Sequence, residues 1–285
     1  MHDGEVPNTQ DLLATCRAAV AGVQAMLAQA RGFEARAAEI GVRGSGGDRT
    51  LVIDRDAESA VFAQLDRLHA RGFRFRAVSE ERGEVDYGAG ADGPVFVIDP
   101  IDGSLNAKRE LPHHSLSVAV AAGATMRDVR FGYVFDFATD EEWWAARGEG
   151  AFLNGSPLDV DGCERRGRDG RLEVLGVEPG DPRLLGDGAA ALAATAHRLR
   201  VIGSTAVMLC QIAAARADGA VSLRPCRAVD AAAACVIIRE SGGAISFPAF
   251  DDRLSAPLDV LPRSCVVAAR SAATAQQLEA LCPPR

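Results

Sequence analysis

The strongest chemical signal in this sequence is Asp99-Pro100-Ile101-Asp102-Gly103-Ser104. Two aspartates three residues apart straddle a proline just after the apolar run VFVID, which predicts a turn at the end of a buried strand. Such a turn lets both carboxylates and the Ile101 carbonyl face one point, a donor set suited to a hard divalent cation. Gly103 and Ser104 then offer backbone N–H groups to a phosphate at a helix start. Taken alone, Asp-Pro followed by Asp-Gly is also ordinary loop chemistry. Further acidic positions change that balance. Glu80 and Glu81 follow FRFRAVS, Asp54 stands between an apolar strand (Leu51, Val52, Ile53) and a helix, and Asp230 is placed as the N-cap of the apolar run AAAACVIIRESGG. Carboxylates at the ends of separate elements are a natural metal cage. Two of them about 4 Å apart repel by roughly 4 kcal/mol at an effective dielectric of 20, so such a cluster calls for cations.

The elements that must position these groups are legible as periodicity. Thr9 is placed as the cap of a helix with Leu13, Cys16, Val20, Val23 and Leu27 inward, ending near Arg31-Gly32. The glycine-rich stretch GVRGSGGDRT (41–50) predicts a mobile loop, a flap that orders when substrate and metal bind. A helix over about 56–70 follows, and then Phe73, Phe75 and Ala77 alternate as a strand. Runs from Val95, Ser115 and Val129 predict an antiparallel sheet. The turn- and charge-rich stretch 159–170 marks a boundary between an N-terminal α+β half, 1–157, and a C-terminal α/β half, 158–285. In the second half, strands and helices alternate, which gives a layered α/β architecture.

Composition bounds the function. The 285 residues are 48% hydrophobic but only 5% aromatic, so aliphatic side chains and alanine must fill the core. With 31 Lys+Arg against 39 Asp+Glu the net charge is −8, which disfavours bulk nucleic-acid or anionic-membrane binding. Seven scattered cysteines without C-x-x-C fit reduced thiols. MHDGEVPNTQ lacks the pattern of a signal peptide, and no stretch is read as spanning a bilayer; the expectation is a cytoplasmic protein.

DPIDGS, preceded by SEE and followed by VDAAAACVIIRESGG, resembles the inositol monophosphatase family of metal-dependent sugar phosphatases. Six landmarks stand in family order over 48–270: LVIDRDAE, SEERG, DPIDGSLNAKRELPHHSLSVAVA, GEGAFLNGSPL, VIGSTAVMLC and VDAAAACVIIRESGG. The resemblance implies an α-β-α-β-α sugar-phosphatase fold with a largely antiparallel N-terminal sheet and a smaller C-terminal α/β half. It implies two or three Mg²⁺ held by Glu80, Asp99, Asp102, Asp230 and the Ile101 carbonyl. Asp54 and Ser104 are implied to form a dyad that orients and deprotonates the attacking water, with Glu80 also in the catalytic set. Water attack without a phosphoenzyme, sensitivity to Li⁺ and a homodimer are implied as well.

The implied substrate is a small phosphorylated sugar or polyol, inositol 1-phosphate and/or fructose 1,6-bisphosphate. Asp102, Gly103 and Ser104 are expected beside it. Gly203, Ser204 and Thr205 match the family's sugar-contacting turn. The Glu and Trp usual in inositol-specific members are missing from 221–230, where Arg224 and Arg227 stand instead. Those arginines suit a second phosphate and resemble the dual inositol-1-phosphatase/fructose-1,6-bisphosphatase branch. Family members often carry a lysine in the loop before LVIDRDAE. Here Lys108 is the only lysine, so Arg43 or Arg49 replaces it, or nothing does. His113 and His114 are expected outside the metal set, and Trp143 and Trp144 on a sheet face or subunit contact. The alternatives are a phosphatase for 3′-phosphoadenosine nucleotides or histidinol phosphate, and a non-catalytic partner of transcription complexes.

Overall fold

The apolar positions near the N-terminus form helix α1 (Thr9–Gln29), with Leu12, Leu13, Cys16, Ala19, Val20, Val23 and Leu27 buried. The computed structural model describes residues 7–30, 32–43, 49–158 and 164–283. Asn8, not Thr9, caps α1: its side-chain oxygen accepts from Asp11 N at 2.9 Å, while the Thr9 hydroxyl, one residue inside, donates to Glu149. By length and composition alone α1 is apolar enough to cross a membrane, a test that a buried core helix also passes. Its apolar side packs on a second long helix, α3 (Val52–Ala70), after the short α2 (Phe33–Ala37).

The glycine-rich stretch is framed by paired strands, β1 (Glu39–Arg43) and β2 (Arg49–Leu51), rather than by loop alone. Residues 44–48 and the side chains of Arg43 and Arg49 lie outside the described residues. Val52 and Ile53, expected in a strand, belong to α3, so Asp54 sits in that helix's first turn. The buried series Ile53, Ala57, Val61, Leu65 and Leu68 carries the helical period back through the β-branched pair, and packing overrides propensity.

An eight-stranded sheet follows, made of β3 (Arg76–Ser79), β4 (Gly83–Asp86), β5 (Val95–Asp102), β6 (Ser115–Ala121), β7 (Val129–Asp136), β8 (Glu141–Ala146), β9 (Gly150–Leu153) and β10 (Ser156–Pro157). Its order is β10-β9-β8-β7-β6-β5-β3-β4. All neighbours are antiparallel except β3 and β5, which run parallel. Phe73 and Phe75 are buried as the alternation requires, though they precede β3. Between β5 and β6 lies α4 (Ser104–Arg109).

The second sheet is β12-β11-β13-β15-β14, from β11 (Leu172–Glu178), β12 (Ala196–Arg200), β13 (Gly219–Ser222), β14 (Ala244–Ser246) and β15 (Val267–Ala269). β11 runs parallel to β12 and β13, and β15 runs antiparallel to β13 and β14. Its helices are α5 (Pro182–Asp187), α6 (Ala189–Thr195), α7 (Thr205–Ala213), α8 (Ala228–Glu240) and α9 (Ala272–Leu278). The short β14 and α5 were not expected.

Five layers result. α1 and α3 cover one face of the large sheet, α7 and α8 fill the space between the sheets, and α6 and α9 pack on the far face of the small one. Adjacent tryptophans show the two-residue strand period: Trp143 packs in the cluster with α7 and α8, whereas Trp144 faces the α1–α3 side and stacks on Phe152 at 4.1 Å. The low aromatic content has its counterpart in α8, where Ala231 to Ala234 are all fully buried. Small side chains bring α8 close to β7: a Cβ on Gly132 would lie 2.2 Å from Ala233 O and 2.6 Å from Val236 Cγ1. Gly132→Ala therefore meets helix backbone. It is expected to cost about 3 kcal/mol, read as a lower urea or thermal midpoint; an unchanged midpoint would show that β7 can shift to make room.

Candidate metal centre

Asp99 and Asp102 do not flank a turn after the strand; both lie within β5. Asp99 pairs with Ser117 and Asp102 with Ser115, so one extra residue is accommodated between them. Pro100, which cannot donate to a ladder, sits in that bulge, which re-aims the strand end. Both carboxylates are buried, 3% and 8% exposed. Asp99 Oδ1 accepts from Ile101 N at 3.0 Å. Gly103 then turns with φ +90°, and a Cβ there would stand 2.9 Å from the carbonyls of Gly203 and His113. Only glycine lets the 203 turn lie against the strand end. The Ser104 hydroxyl donates to Ile101 O at 3.0 Å.

Parallel pairing of β3 and β5 places Ser79 opposite Ile98, so Glu80, the next residue, emerges beside Asp99. Asp230 is not the N-cap of α8. Ala228 and Val229 already belong to the helix, Arg227 is the cap residue, and Asp230 Oδ2 accepts from Arg227 N at 2.9 Å. A carboxylate in the first turn is stabilised there by the exposed N–H groups and the helix dipole. Among the described residues, Glu80, Asp99 and Asp230 converge, with one oxygen from each lying within 4.8 Å of the others. Opposite ligands of one octahedral ion with bonds of 2.0–2.1 Å stand about 4.2 Å apart, so this all-oxygen set fits a small divalent cation with slight closure.

The electrostatics agree. Burial, with the neighbouring charges of Asp230, Glu81 and Asp54, pushes Glu80 up to about 8 against the pull of Arg227. Burial, then Glu80, Asp102 and Asp230, raises Asp99 well above the carboxylate range. Burial and Asp230 bring Asp102 to about 7, although Ser204 and Ala206 oppose the rise. Burial and Glu81 bring Asp54 to about 7, opposed by Leu51 N–H, Ser104 and Lys108. Among the described residues, Asp54 Oδ1 is buried without a hydrogen-bond partner.

Asp102 adjoins the three-carboxylate group without belonging to it: its Oδ2 accepts from the Ser204 hydroxyl at 2.6 Å and from Ala206 N at 2.7 Å. Ser204 is fully buried and also caps α7, so its hydroxyl faces Asp102. Gly203 turns with φ +82°, and Thr205, half-buried, opens α7. Arg227, expected to face a second phosphate, points among the carboxylates, with Nη1 2.6 Å from Glu80 Oε1 and Nε 3.7 Å from Asp230 Oδ1. Arg224 is exposed on the turn between β13 and α8. His113 pairs with Asp136 and His114 is buried, both outside the carboxylate group.

Two supports escaped sequence reasoning. Asn106 Nδ2 lies 2.7–2.9 Å from the carbonyls of Pro112, His113 and Ile202. Glu178 Oε1 accepts from Ile202 N and Gly203 N at 2.9 and 2.8 Å. Together they fix the 203 turn against α4. Neither belongs to a recognisable spacing, and only the folded chain brings them in.

The raised pKa values give a signed expectation for protein stripped with EDTA. The native cluster holds protons that the unfolded chain releases near pH 4, so their contribution to stability is full at low pH and is lost as pH rises through about 7 to 8. Thermal midpoints in EDTA should fall from pH 5 to pH 8, and the stabilisation by added Mg²⁺ should grow over the same range. A flat profile for both would mean that these carboxylates are ionised throughout.

The model of the inositol monophosphatase family matches residues 8–283. The chain is 33% identical over 219 residues to a fructose-1,6-bisphosphatase/inositol-1-monophosphatase of Methanothermobacter thermautotrophicus, covering 74% of this chain and 75% of that one. It is 31% identical over 220 residues to the Nus factor SuhB of Haemophilus influenzae, covering 76% and 78%. A Pyrococcus horikoshii protein described as similar to inositol-1 monophosphatase superposes with a TM-score of 0.73 at 20% identity over 96% of this chain and 98% of that one, which supports the layered fold. The chain belongs to the inositol monophosphatase family, and with it to the phosphoric monoester hydrolases.

Proposed function

We propose that this protein is a Mg²⁺-dependent phosphatase that hydrolyses a small sugar or polyol phosphate, inositol 1-phosphate and/or fructose 1,6-bisphosphate. The convergence of Glu80, Asp99 and Asp230 oxygens within 4.8 Å carries the reading. Asp102 and the Ile101 carbonyl complete the ligand set, for two or three ions. When bound, such ions activate water and neutralise the charge of the phosphate and its departing oxygen. The protein's own groups do the rest. Asp54 Oδ1, buried and unpartnered, takes a proton from the attacking water, and the Ser104 hydroxyl beside it orients that water. The 203–205 turn, held by Glu178 and Asn106, borders the sugar ring. Arg224, exposed at the edge, receives a second phosphate, while Arg227 holds Glu80. In this reading the working enzyme is a cytoplasmic homodimer.

A second reading, a partner of transcription complexes, is favoured by the likeness to the Nus factor SuhB of Haemophilus influenzae. Complexes retained without any Mg²⁺-dependent phosphate release would select it.

Phosphate release from inositol 1-phosphate and fructose 1,6-bisphosphate, each with Mg²⁺ and with EDTA, tests the proposal; no release from either ester with Mg²⁺ would end it. Asp102→Asn can keep both bonds to α7, because they fall on one oxygen. It is expected to stay folded and to lose turnover by about 100-fold or more; near-normal turnover would remove Asp102 from the site. Arg224→Ala should raise KM about tenfold for the bisphosphate and little for inositol 1-phosphate. Arg227→Ala should lower turnover of both alike. Equal effects of Arg224→Ala on the two esters would cancel its assignment.

A further inference from the structure

Asp54, Glu58 and Phe62 stand one turn apart along α3 and so form a stripe on one face of the helix. Glu58, the last residue of LVIDRDAE, to which the sequence assigns no role, is only 2% exposed. Its Oε1 accepts from the Ser79 hydroxyl and from Arg82 N at 3.1 Å, and its Oε2 accepts from Arg82 Nε at 3.1 Å. The Arg82 guanidinium in turn lies over the Phe62 ring, 4.2 Å from its centre. Residues 79–82 thus form a turn fastened at both ends to α3, and the two residues between the fastenings are Glu80 and Glu81.

This turn needs a fastening. Glu80 comes within 4.8 Å of Asp99 and Asp230, and a second carboxylate, Glu81, follows it in the turn. Once ionised, like charges at that range push the turn away from Asp99 and Asp230. Charge-assisted hydrogen bonds from behind oppose the displacement, because they tie the strand end and the residue after Glu81 to a helix that also carries Asp54.

We infer that Glu58 is a positioning residue of the metal centre, acting through the Ser79 hydroxyl and both Arg82 donors to hold Glu80 in gripping distance of an ion. The inference rests on the reading of Glu80 as a metal ligand. Carboxylates that orient a ligand from behind commonly set metal affinity as well as geometry. A purely structural buried carboxylate would change folding stability and leave the affinity of the folded protein alone.

The test uses full-length protein stripped with EDTA and dialysed, titrated calorimetrically with Mg²⁺, with hydrogen exchange followed at the Arg82 amide. Glu58→Ala should weaken Mg²⁺ binding about tenfold or more and expose the Arg82 amide to exchange before any metal is added. Glu58→Gln keeps an acceptor for Ser79 and the Arg82 amide and should recover most of both. Leu65→Ala, a core truncation in the same helix, should lower the thermal midpoint without moving Mg²⁺ affinity. Wild-type affinity in Glu58→Ala, or a loss no larger than in Leu65→Ala, overturns the inference. If the alanine variant does not fold, Ser79→Ala removes one fastening and should weaken Mg²⁺ about threefold; unchanged affinity there is equally fatal. If the wild type itself takes up no Mg²⁺, the metal reading fails. The hold of Glu58 on the turn is then decided by the Arg82 amide, whose unaltered protection in Glu58→Ala would refute it.

Discussion

Mutual repulsion of carboxylates in a dry setting is the constraint around which this molecule is organised. Asp99, Asp102, Asp230 and Glu80 are gathered where water screens them weakly, and Glu80, Asp102 and Asp230 each raise the pKa of Asp99. At an effective dielectric of 20, one pair at 4 Å repels by about 4 kcal/mol. The chain answers with fixed donors, among them Ile101 N on Asp99, Ser204 and Ala206 on Asp102, Arg227 N on Asp230, and the Arg227 guanidinium on Glu80. Apart from the one positive charge of Arg227, these bonds orient the groups without neutralising them, which leaves a net pull on any small divalent cation that arrives.

The fold supplies those donors from two directions. The large sheet brings Glu80 and Asp99 together because β3 and β5 are its one parallel pair, so their carboxyl ends lie side by side. The layer between the sheets brings two helix N-termini to the same place, α7 at Asp102 and α8 at Asp230. Partial positive charge at both termini favours the ionised carboxylates. Alanine in α8 and glycine in β7 let that layer approach closely enough for the termini to reach the strand end.

What could be read in the sequence was what local periodicity encodes. The acidic positions, the antiparallel runs and the helix through VDAAAA were all visible, because burial repeats every two or three to four residues. Helix starts were misplaced at Thr9, Asp54 and Asp230, each time because the residue expected at the boundary lay inside the helix. Contacts distant in the chain were opaque. Nothing near Arg227 says that its guanidinium meets Glu80, 147 residues earlier, and nothing near Ser204 points to Asp102. Arginine is abundant in this chain, so residue type alone suggested a phosphate contact, whereas the folded neighbourhood assigns Arg227 an anionic partner from the site itself.

These distant contacts share one property. Arg227 to Glu80, Asp102 to Ser204 and Ala206, Asn106 to Ile202, and Gly103 against Gly203 all join residues before 158 to residues after it, and all lie at or beside the carboxylate group. The spacing of the carboxylates and the mutual placement of the two sheets are therefore one variable. An ion that draws Asp230 toward Asp99 must also draw α8 toward β5, and a shift of α8 would be resisted by the alanine–glycine contact with β7. Because packed helix backbone yields little, the cluster is held near one geometry before any ligand arrives, and binding has little rearrangement left to drive.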